Sequence, residues 1–600
     1  MIRHLKRWAI VTALAAFGAT ALAYYLGFDL WPPLAALAHG RYERMGPAEM
    51  ATCFKAQLNA RIGNPNTGDQ WQICRDWLAR YQALDAFNRR AIAVDAAAAI
   101  SLLAFLLFIL CFRLERPAFR VTRGARLHGG AVGLRAFARA CATECRVHGS
   151  GVDLVPRIPL SRDRETRHFL ILGSVGGGKT QTMLHLIAAA IARGDGILVL
   201  DTKGDMMAGL PAEVGPLLVA PHDSRSLVWD VAADCRVKQD ARELAARFIP
   251  PSAEPMWSQA AQEIFVACIV HLQETKGRDW GWADLEAVVT DDVEALREYV
   301  HKHNRNAERL LDQPDSRTTL SILTTFQTHM RIVSVLAEAW RGPEAGRFSI
   351  RNWLQSPVPR RPLILQHDPG YPELSRIWIG SMLGILASAV GSPTLTESRT
   401  RRIWLFLDEF PHLPAIRQFP TFLELGRSKG ISVVISAQDT AQIRAVYGPD
   451  QAKSWFGMTG TKIMTRINAS ESAEEVSRLI GDQEIERPMR SATHSGGRVS
   501  VTRSVQRESR RVITASELGS RLGPTRHGVR VLFIGLGDAI YELELPYITL
   551  PKFREPIMPA DWTLTPPPKP PGGANGKEPA APQPRRLTPD VADRIRQRRR

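Results

Sequence analysis

Apolar positions fall into three regimes along the chain. At the N-terminal end they form two long uncharged runs, residues 8–26 and 96–112. A helix over the 19 residues of the first run rises about 28 Å, enough to cross a bilayer's hydrocarbon core. Arg3, Lys6 and Arg7 precede this run, and Arg113, Arg116, Arg120, Arg123 and Arg126 follow the second. Positive charge at both outer flanks predicts a two-helix transmembrane anchor over 1–112, with spans about 8–26 and 91–112. Both termini then lie in the cytoplasm of a bacterium, and loop 27–90 lies on the periplasmic side of its inner membrane. Ala21-Leu22-Ala23 also resembles a signal-peptide cleavage site, a reading that the second span argues against. Cys53 and Cys74 fall in the outer loop, where a disulfide and two free thiols are both compatible with the sequence.

After a basic connector at 113–160 the pattern changes to short, wholly apolar runs. These are His168–Leu172, Gly196–Leu200, Pro362–Leu365, Ile403–Leu407 and Ser432–Ser436. Helical periodicity, as at Thr180–Ala192, separates them. Strands that are apolar throughout and alternate with helices predict an α/β fold with a parallel sheet covered on both faces. This domain takes in 161–252 and 351–555. Between its parts, 253–350 carries helical patterning without a strand signal and predicts an inserted all-α subdomain. The third regime, 556–600, is rich in proline and glycine and ends in seven arginines between 585 and 600. It predicts a disordered tail, either a docking segment or a solvated end.

Composition narrows the classes. The chain has 600 residues, 45% hydrophobic and 23% charged, which excludes wholesale disorder, collagen and coiled-coil rods. Its seven cysteines are too few for a disulfide-built scaffold, and no Cys-x-x-Cys pair suggests a zinc ribbon. A net charge of +17 favours polyanions or an anionic membrane surface. No constellation for covalent catalysis or metal clustering points to nuclease or relaxase chemistry.

The sharpest signal is Gly173-Ser174-Val175-Gly176-Gly177-Gly178-Lys179-Thr180, which fits G-x-x-x-x-G-K-[ST] between a predicted strand and helix. Glycines let successive backbone amides wrap phosphates, and the helix N-terminus adds partial positive charge. Lys179 is expected to reach the β- and γ-phosphates of ATP, and Thr180 to ligate Mg²⁺. Strand Ile403–Leu407 ends in Asp408-Glu409, placing Asp408 to hold Mg²⁺ and Glu409 to polarise the attacking water. Gln438 follows the strand at 432–436, where an amide can sense the γ-phosphate, although strand-end polar residues are common. Arg427 lies in a turn before that strand, either as a finger for a neighbouring subunit's nucleotide or as a solvated charge.

Taken together, these motifs resemble the coupling proteins of conjugative type IV secretion, the TraD/TraG group of membrane-anchored, RecA-like P-loop ATPases. Glu165–His168 leads into the P-loop strand, and Asp201-Thr202-Lys203-Gly204-Asp205 ends the next. Asp223-Ser224-Arg225-Ser226-Leu227-Val228-Trp229-Asp230 follows, and Met256-Trp257 with Ala260-Ala261 opens the helical insertion. Leu407–Pro411 and Gly426–Gly430 complete the series. The similarity spans roughly 160–545. It implies a homo-hexameric ring with nucleotide at its interfaces, Arg427 acting in trans and Gln438 as sensor. It also implies ATP-driven delivery of a relaxase-bound single DNA strand to the secretion channel proteins. Three adjacent glycines at 176–178 make the loop richer in glycine than the family's usual one. Two rival expectations are a DNA translocase of the FtsK/SpoIIIE kind and a nucleotide-gated receptor for protein effectors.

Overall fold

The computed structural model describes residue 18 and residues 35–38, 41–44, 47–61, 68–80, 82–113, 119–252, 254–311, 316–341, 346–356, 360–413, 415–468, 470–495 and 498–564. The span expected at 8–26 and the tail beyond 564 lie outside them. The chain divides into two compact units, 1–120 with 486–507, and 121–485 with 508–600.

In the first unit, helices Pro47–Arg61, Gly68–Arg80 and Leu84–Arg113 meet around Met50, Phe54, Leu78, Phe87 and Val94. Cys53 and Cys74 are joined as a disulfide across the first two, with Cα atoms 5.6 Å apart, which settles the pairing left open above. The third helix contains the run expected as the second span. Its buried positions end near Val94, and Ile100, Leu102 and Leu103 are exposed.

The second unit is built on one large sheet. Its main strands, in chain order, are β1 Arg126–His128, β2 Phe169–Leu172, β3 Gly196–Asp201, β4 Leu217–Val219, β5 Leu363–Gln366, β6 Ile403–Leu407, β7 Ile431–Ala437, β8 Thr461–Met464, β9 Gly528–Leu536 and β10 Ala539–Pro546, with the two-residue strand Gly523–Pro524 paired beside β9. Across the sheet the order is β1-β10-β9-β8-β2-β7-β6-β3-β5-β4. From β8 to β4 every pairing is parallel, and β2, β3, β5, β6 and β7 are buried at every position. Continuous apolar runs are what a strand covered on both faces requires.

The expectation of a parallel sheet holds for that part, but β8–β9 and β9–β10 are antiparallel, so the sheet is mixed, with β10–β1 parallel again at its edge. In β10, Tyr541, Leu543 and Leu545 are buried while Glu542 and Glu544 face outward, the alternation of a strand with one wet face.

Three sequence boundaries move. Residues 121–160 are structural rather than a connector: β1 pairs with β10, and helix Gly130–His148 lays Phe137 edge-on against Phe533 and Tyr541, with centroids 5.0 and 5.4 Å apart. Arg135, Arg139 and Arg146 of that helix are exposed. The tail begins later than 556. Residues 547–564 form a strap across the body, anchored by Arg554 to the Leu210 carbonyl (2.7 Å), by the Met558 amide to Asp223 (2.9 Å) and by Trp562 to the Pro221 carbonyl (2.7 Å).

The helical insertion is also not a separate body. Helices Pro255–Lys276, Trp282–Val289, Val293–His303 and Arg317–Ala339 are joined by Lys238–Phe248 from before it. Strand Val228–Trp229 pairs with Arg347–Phe348 to close the layer. A ladder of indoles, Trp229–Trp282–Trp340–Trp378, runs at centroid spacings of 5.4, 5.3 and 6.3 Å from this layer into helix Pro372–Gly391. That helix has the length and apolarity of a membrane span, but its side chains are mostly buried in the body. The helices thus share one core with a face of the sheet that includes Leu198, Leu200, Leu363 and Leu405. Large buried aromatics bring together what sequence spacing had divided.

Candidate functional site

The P-loop rises from the C-terminal end of β2 and passes into helix Lys179–Arg193. Gly176 and Gly178 have φ of 68° and 101°, in the left-handed region. At Gly178 any Cβ would collide with Val529 of β9, so both conformation and space demand glycine. The Lys179 ammonium is buried and donates to the Gly173 carbonyl at 2.8 Å and to that of Ser174 at 3.4 Å. Burial pulls its pKa down, opposed by the negative charges of Asp408 and Glu409.

Parallel register sets Leu172 level with Ala437 of β7, and Leu407 of β6 level with Ile435. The groups that follow these strands therefore meet. Thr180 Oγ1 donates to Asp408 Oδ2 at 2.8 Å. Asp408 Oδ1 accepts from the Ser436 hydroxyl and from the Glu409 amide at 3.1 Å, so one carboxylate is held from three sides. Glu409 itself sits at φ 49°, strained for a side-chain-bearing residue, and its carboxylate faces His412 Nδ1 at 3.2 Å. Gln438 follows the end of β7 and is half-buried. Lys179, Thr180, Asp408 and Glu409 are thus gathered at one end of the strands, together with Ser436, whose tie to Asp408 was not read from sequence.

Arg427 is elsewhere. It precedes β7, and its guanidinium, 58% exposed, donates to Asp163 at 2.8 Å on the turn before β2. That is the N-terminal end of strands whose C-terminal ends carry the site, roughly 20 Å away along the seven residues of β7. Burial raises the Asp163 pKa, but the Arg167 and Arg427 guanidiniums outweigh it and hold the carboxyl below its usual range.

Other motif residues build the frame. His168 is buried at φ 60°, accepts from the Val433 amide at 3.2 Å and meets the Leu423 carbonyl at 3.2 Å. Glu165 pairs with Arg193 at the end of the P-loop helix. Asp201 accepts four backbone amides between Lys203 and Met207 at 2.9–3.3 Å, and burial raises its pKa. Asp223 and Arg225 hold the strap, Arg225 donating to the Glu555 carbonyl at 2.9 Å. Gln181 exchanges two hydrogen bonds with Ile548 of the strap. Beneath it a cavity of about 450 Å³ opens, reaching from Thr180 and Asp408 to Asp201 and Lys203.

The far side of the P-loop is laced by residues that carry no motif. The Ser174 amide donates to the Arg466 carbonyl (2.8 Å), the Asn468 amide to Ser174 Oγ (2.9 Å) and Arg466 Nη2 to the Gly176 carbonyl (3.3 Å). Thr465 Oγ1 occupies the space a Cβ at Gly173 would need. Only the strand context of β8 could have pointed to them.

An α/β P-loop NTPase-like fold is the architecture that the comparisons match. Residues 153–540 match the family described as type IV secretion-system coupling protein DNA-binding domain. The chain belongs to the type IV secretion-system coupling proteins. It is 24% identical to the coupling protein TraD of Escherichia coli (strain K12) over 416 residues, 67% of this chain and 56% of that protein. It is 31% identical to the conjugal transfer protein TraG of Rhizobium radiobacter over 117 residues, 19% of this chain and 17% of that one. The chain thus spans little more than half the length of TraD. Among solved structures, the bacterial conjugative coupling protein TrwBdeltaN70 in its unbound monoclinic form superposes with a TM-score of 0.61 at 23% identity, over 74% of this chain and 97% of that one. Plasmid coupling protein TrwB in complex with ADP and Mg²⁺ gives 0.60 at 22%, over 74% and 99%. These structures establish the fold.

Proposed function

We propose that the chain is a membrane-anchored ATPase that drives relaxase-bound single-stranded DNA to the channel proteins of a conjugative type IV secretion system. The observation that carries the ATPase reading is the 2.8 Å hydrogen bond from Thr180 to Asp408, made across the sheet by residues 228 positions apart. A hydroxyl and a carboxylate are the hard oxygen donors that Mg²⁺ takes, so Thr180 and Asp408 fit a Mg²⁺ site. Bound Mg²⁺ supplies neutralisation of the phosphate charge. Lys179 exchanges its loop carbonyls for β- and γ-phosphate oxygens of ATP, and the backbone amides from Gly173 to Thr180 cradle the rest. Glu409 takes the proton of the attacking water, Ser436 holds Asp408 in place, and Gln438 meets the γ-phosphate. Arg427 lies too far from its own chain's P-loop to act there, which supports the reading that it serves a neighbouring copy in a hexameric ring.

The likeness to TrwB in complex with ADP and Mg²⁺ and to the E. coli coupling protein TraD supports this assignment. A net charge of +17 suits repeated phosphate contacts without base readout. The exposed apolar stretch at Ile100, Leu102 and Leu103, followed by Arg113, supports insertion of helix Leu84–Arg113 in the inner membrane. With a first span at 8–26, both termini are cytoplasmic.

The test is ATP hydrolysis by the detergent-solubilised full chain, with and without single-stranded DNA, beside Lys179→Ala. Turnover stimulated by DNA and lost in the variant is expected. Turnover that survives in Lys179→Ala overturns the site, and Lys179-dependent turnover indifferent to DNA overturns the motor in favour of a gated receptor.

A further inference from the structure

β2 has a different neighbour on each side. On one side β7 and β6 carry Gln438, Asp408 and Glu409, the groups that act on the γ-phosphate and the water. On the other, β8 runs parallel to β2 and ends in Thr465-Arg466-Ile467-Asn468. A triphosphate threaded through the P-loop with its γ end toward β6 and β7 therefore sends its α-phosphate and nucleoside out on the β8 side. Whatever stands there meets the part of the nucleotide common to substrate and product.

Arg466 stands there. Its side chain passes over Gly523, where a Cβ would sit 2.6 Å from the Cβ of Arg466, and where φ is 100°. It then reaches Gly176 at the turn of the P-loop. The described residues offer its guanidinium one acceptor, the Gly176 carbonyl at 3.3 Å, while Nε is enclosed with no hydrogen-bond partner. The neighbouring arginines of this half of the sheet differ. Arg521 is paired with Glu542 at 2.6 Å, and Arg530 lies 3.6 and 3.8 Å from Glu542 and Glu544. Their charge is answered by carboxylates, whereas that of Arg466 is directed at a phosphate-binding loop. A buried donor without a partner is costly unless something completes its bonds, and a guanidinium's planar fork is matched to phosphate.

We propose that Arg466 is a nucleotide-binding residue that engages the α-phosphate of the bound nucleotide. The assignment rests on the P-loop reading above and adds a contact to the phosphate-binding loop itself. Arg466 exchanges the weak carbonyl contact for charge-assisted bonds to a phosphate oxygen, so it tightens ATP and ADP alike and leaves the chemical step to β6 and β7.

The experiment is equilibrium titration of the detergent-solubilised full chain with fluorescent ADP and ATP analogues, for wild type, R466A, R466Q, R466K and K179A. R466Q keeps a side chain long enough to reach Gly176, and thermal unfolding of each variant checks that the body is intact. R466A and R466Q should weaken both nucleotides equally, by roughly 10–100-fold, the range expected for loss of a charge-assisted hydrogen bond. R466K should fall between them and wild type. Unchanged affinity in R466Q overturns the proposal, as does a loss confined to ATP, which would put the guanidinium at the γ end. Wild type that binds neither nucleotide and equals K179A sinks the P-loop reading itself, and the Arg466 assignment with it.

Discussion

The two flanks of β2 solve the same problem by different means. On the β7–β6 flank the side chains do the work: Asp408, Glu409, Ser436 and Gln438 stand at the ends of strands buried at every position. On the β8–β9 flank backbone and shape set the loop, with Arg466 and Asn468 tied to it through main-chain groups and Thr465 and Val529 filling the space that Gly173 and Gly178 leave, and the Arg466 guanidinium is the side chain aimed at it, at the Gly176 carbonyl. One flank is fixed by what its residues can do, the other by what its glycines cannot accommodate.

The comparison breaks most sharply at Glu409. Glu409→Gln is expected to lower kcat by about 10³-fold or more, the scale of a lost general base, with nucleotide affinity within a few-fold of wild type. A titration showing that affinity falls in step with turnover would erase the difference between the flanks. Arg427→Ala is expected to cost about 10³-fold in turnover, at the lower end for an arginine finger. Nucleotide binding should survive, and mixing the variant with Lys179→Ala chains should restore partial turnover if the finger acts between copies.

The seam itself is titratable. Burial depresses His168 from 6.5 to about 4, with the Leu423 carbonyl opposing that shift and Arg427 adding to it. The unfolded chain therefore takes up the proton first, and the stability His168 contributes is complete above pH 6.5 and lost as pH falls toward 4. The full loss is about 3 kcal/mol, from the size of the shift. Denaturant midpoints between pH 7 and 4.5 should show this decline, and His168→Asn should flatten it. The smallest effect belongs to the β8–β9 flank. Gly523→Ala, strained at φ 100° and crowding Arg466, is expected to weaken ADP and ATP about tenfold with kcat nearly unchanged, as the proposed loss of one phosphate contact would. Loss of kcat without loss of affinity would place Arg466 with the chemistry instead.

This contrast also explains what could be read from the sequence. Phosphate and Mg²⁺ restrict residue types so tightly that Gly173–Thr180 and Asp408-Glu409 announce themselves, and the strands that carry them are apolar enough to be seen. Arg427 was visible as a motif before its strand, but its partner Asp163, 264 residues away, was not. Arg466 was invisible because an arginine after a short strand has no signature until the loop it touches is known. β10 could have been read, since Tyr541-Glu542-Leu543-Glu544-Leu545 alternates cleanly. The strap could not, because it is held by backbone carbonyls and by Asp223, whose motif gave no hint of its partner 335 residues away.

The indole ladder from Trp229 to Trp378 has a mechanical meaning. A machine that turns hydrolysis into movement needs a joint, and a joint needs surfaces that can slide or part. Among the described residues the helical layer and a face of the sheet share one core, and tilted and edge-on indoles tie that layer to helix Pro372–Gly391, so the packed interior resists shear. Under the proposed motor reading, the layer therefore travels with the strands as one stiff lever, and a stroke is not taken up inside this core.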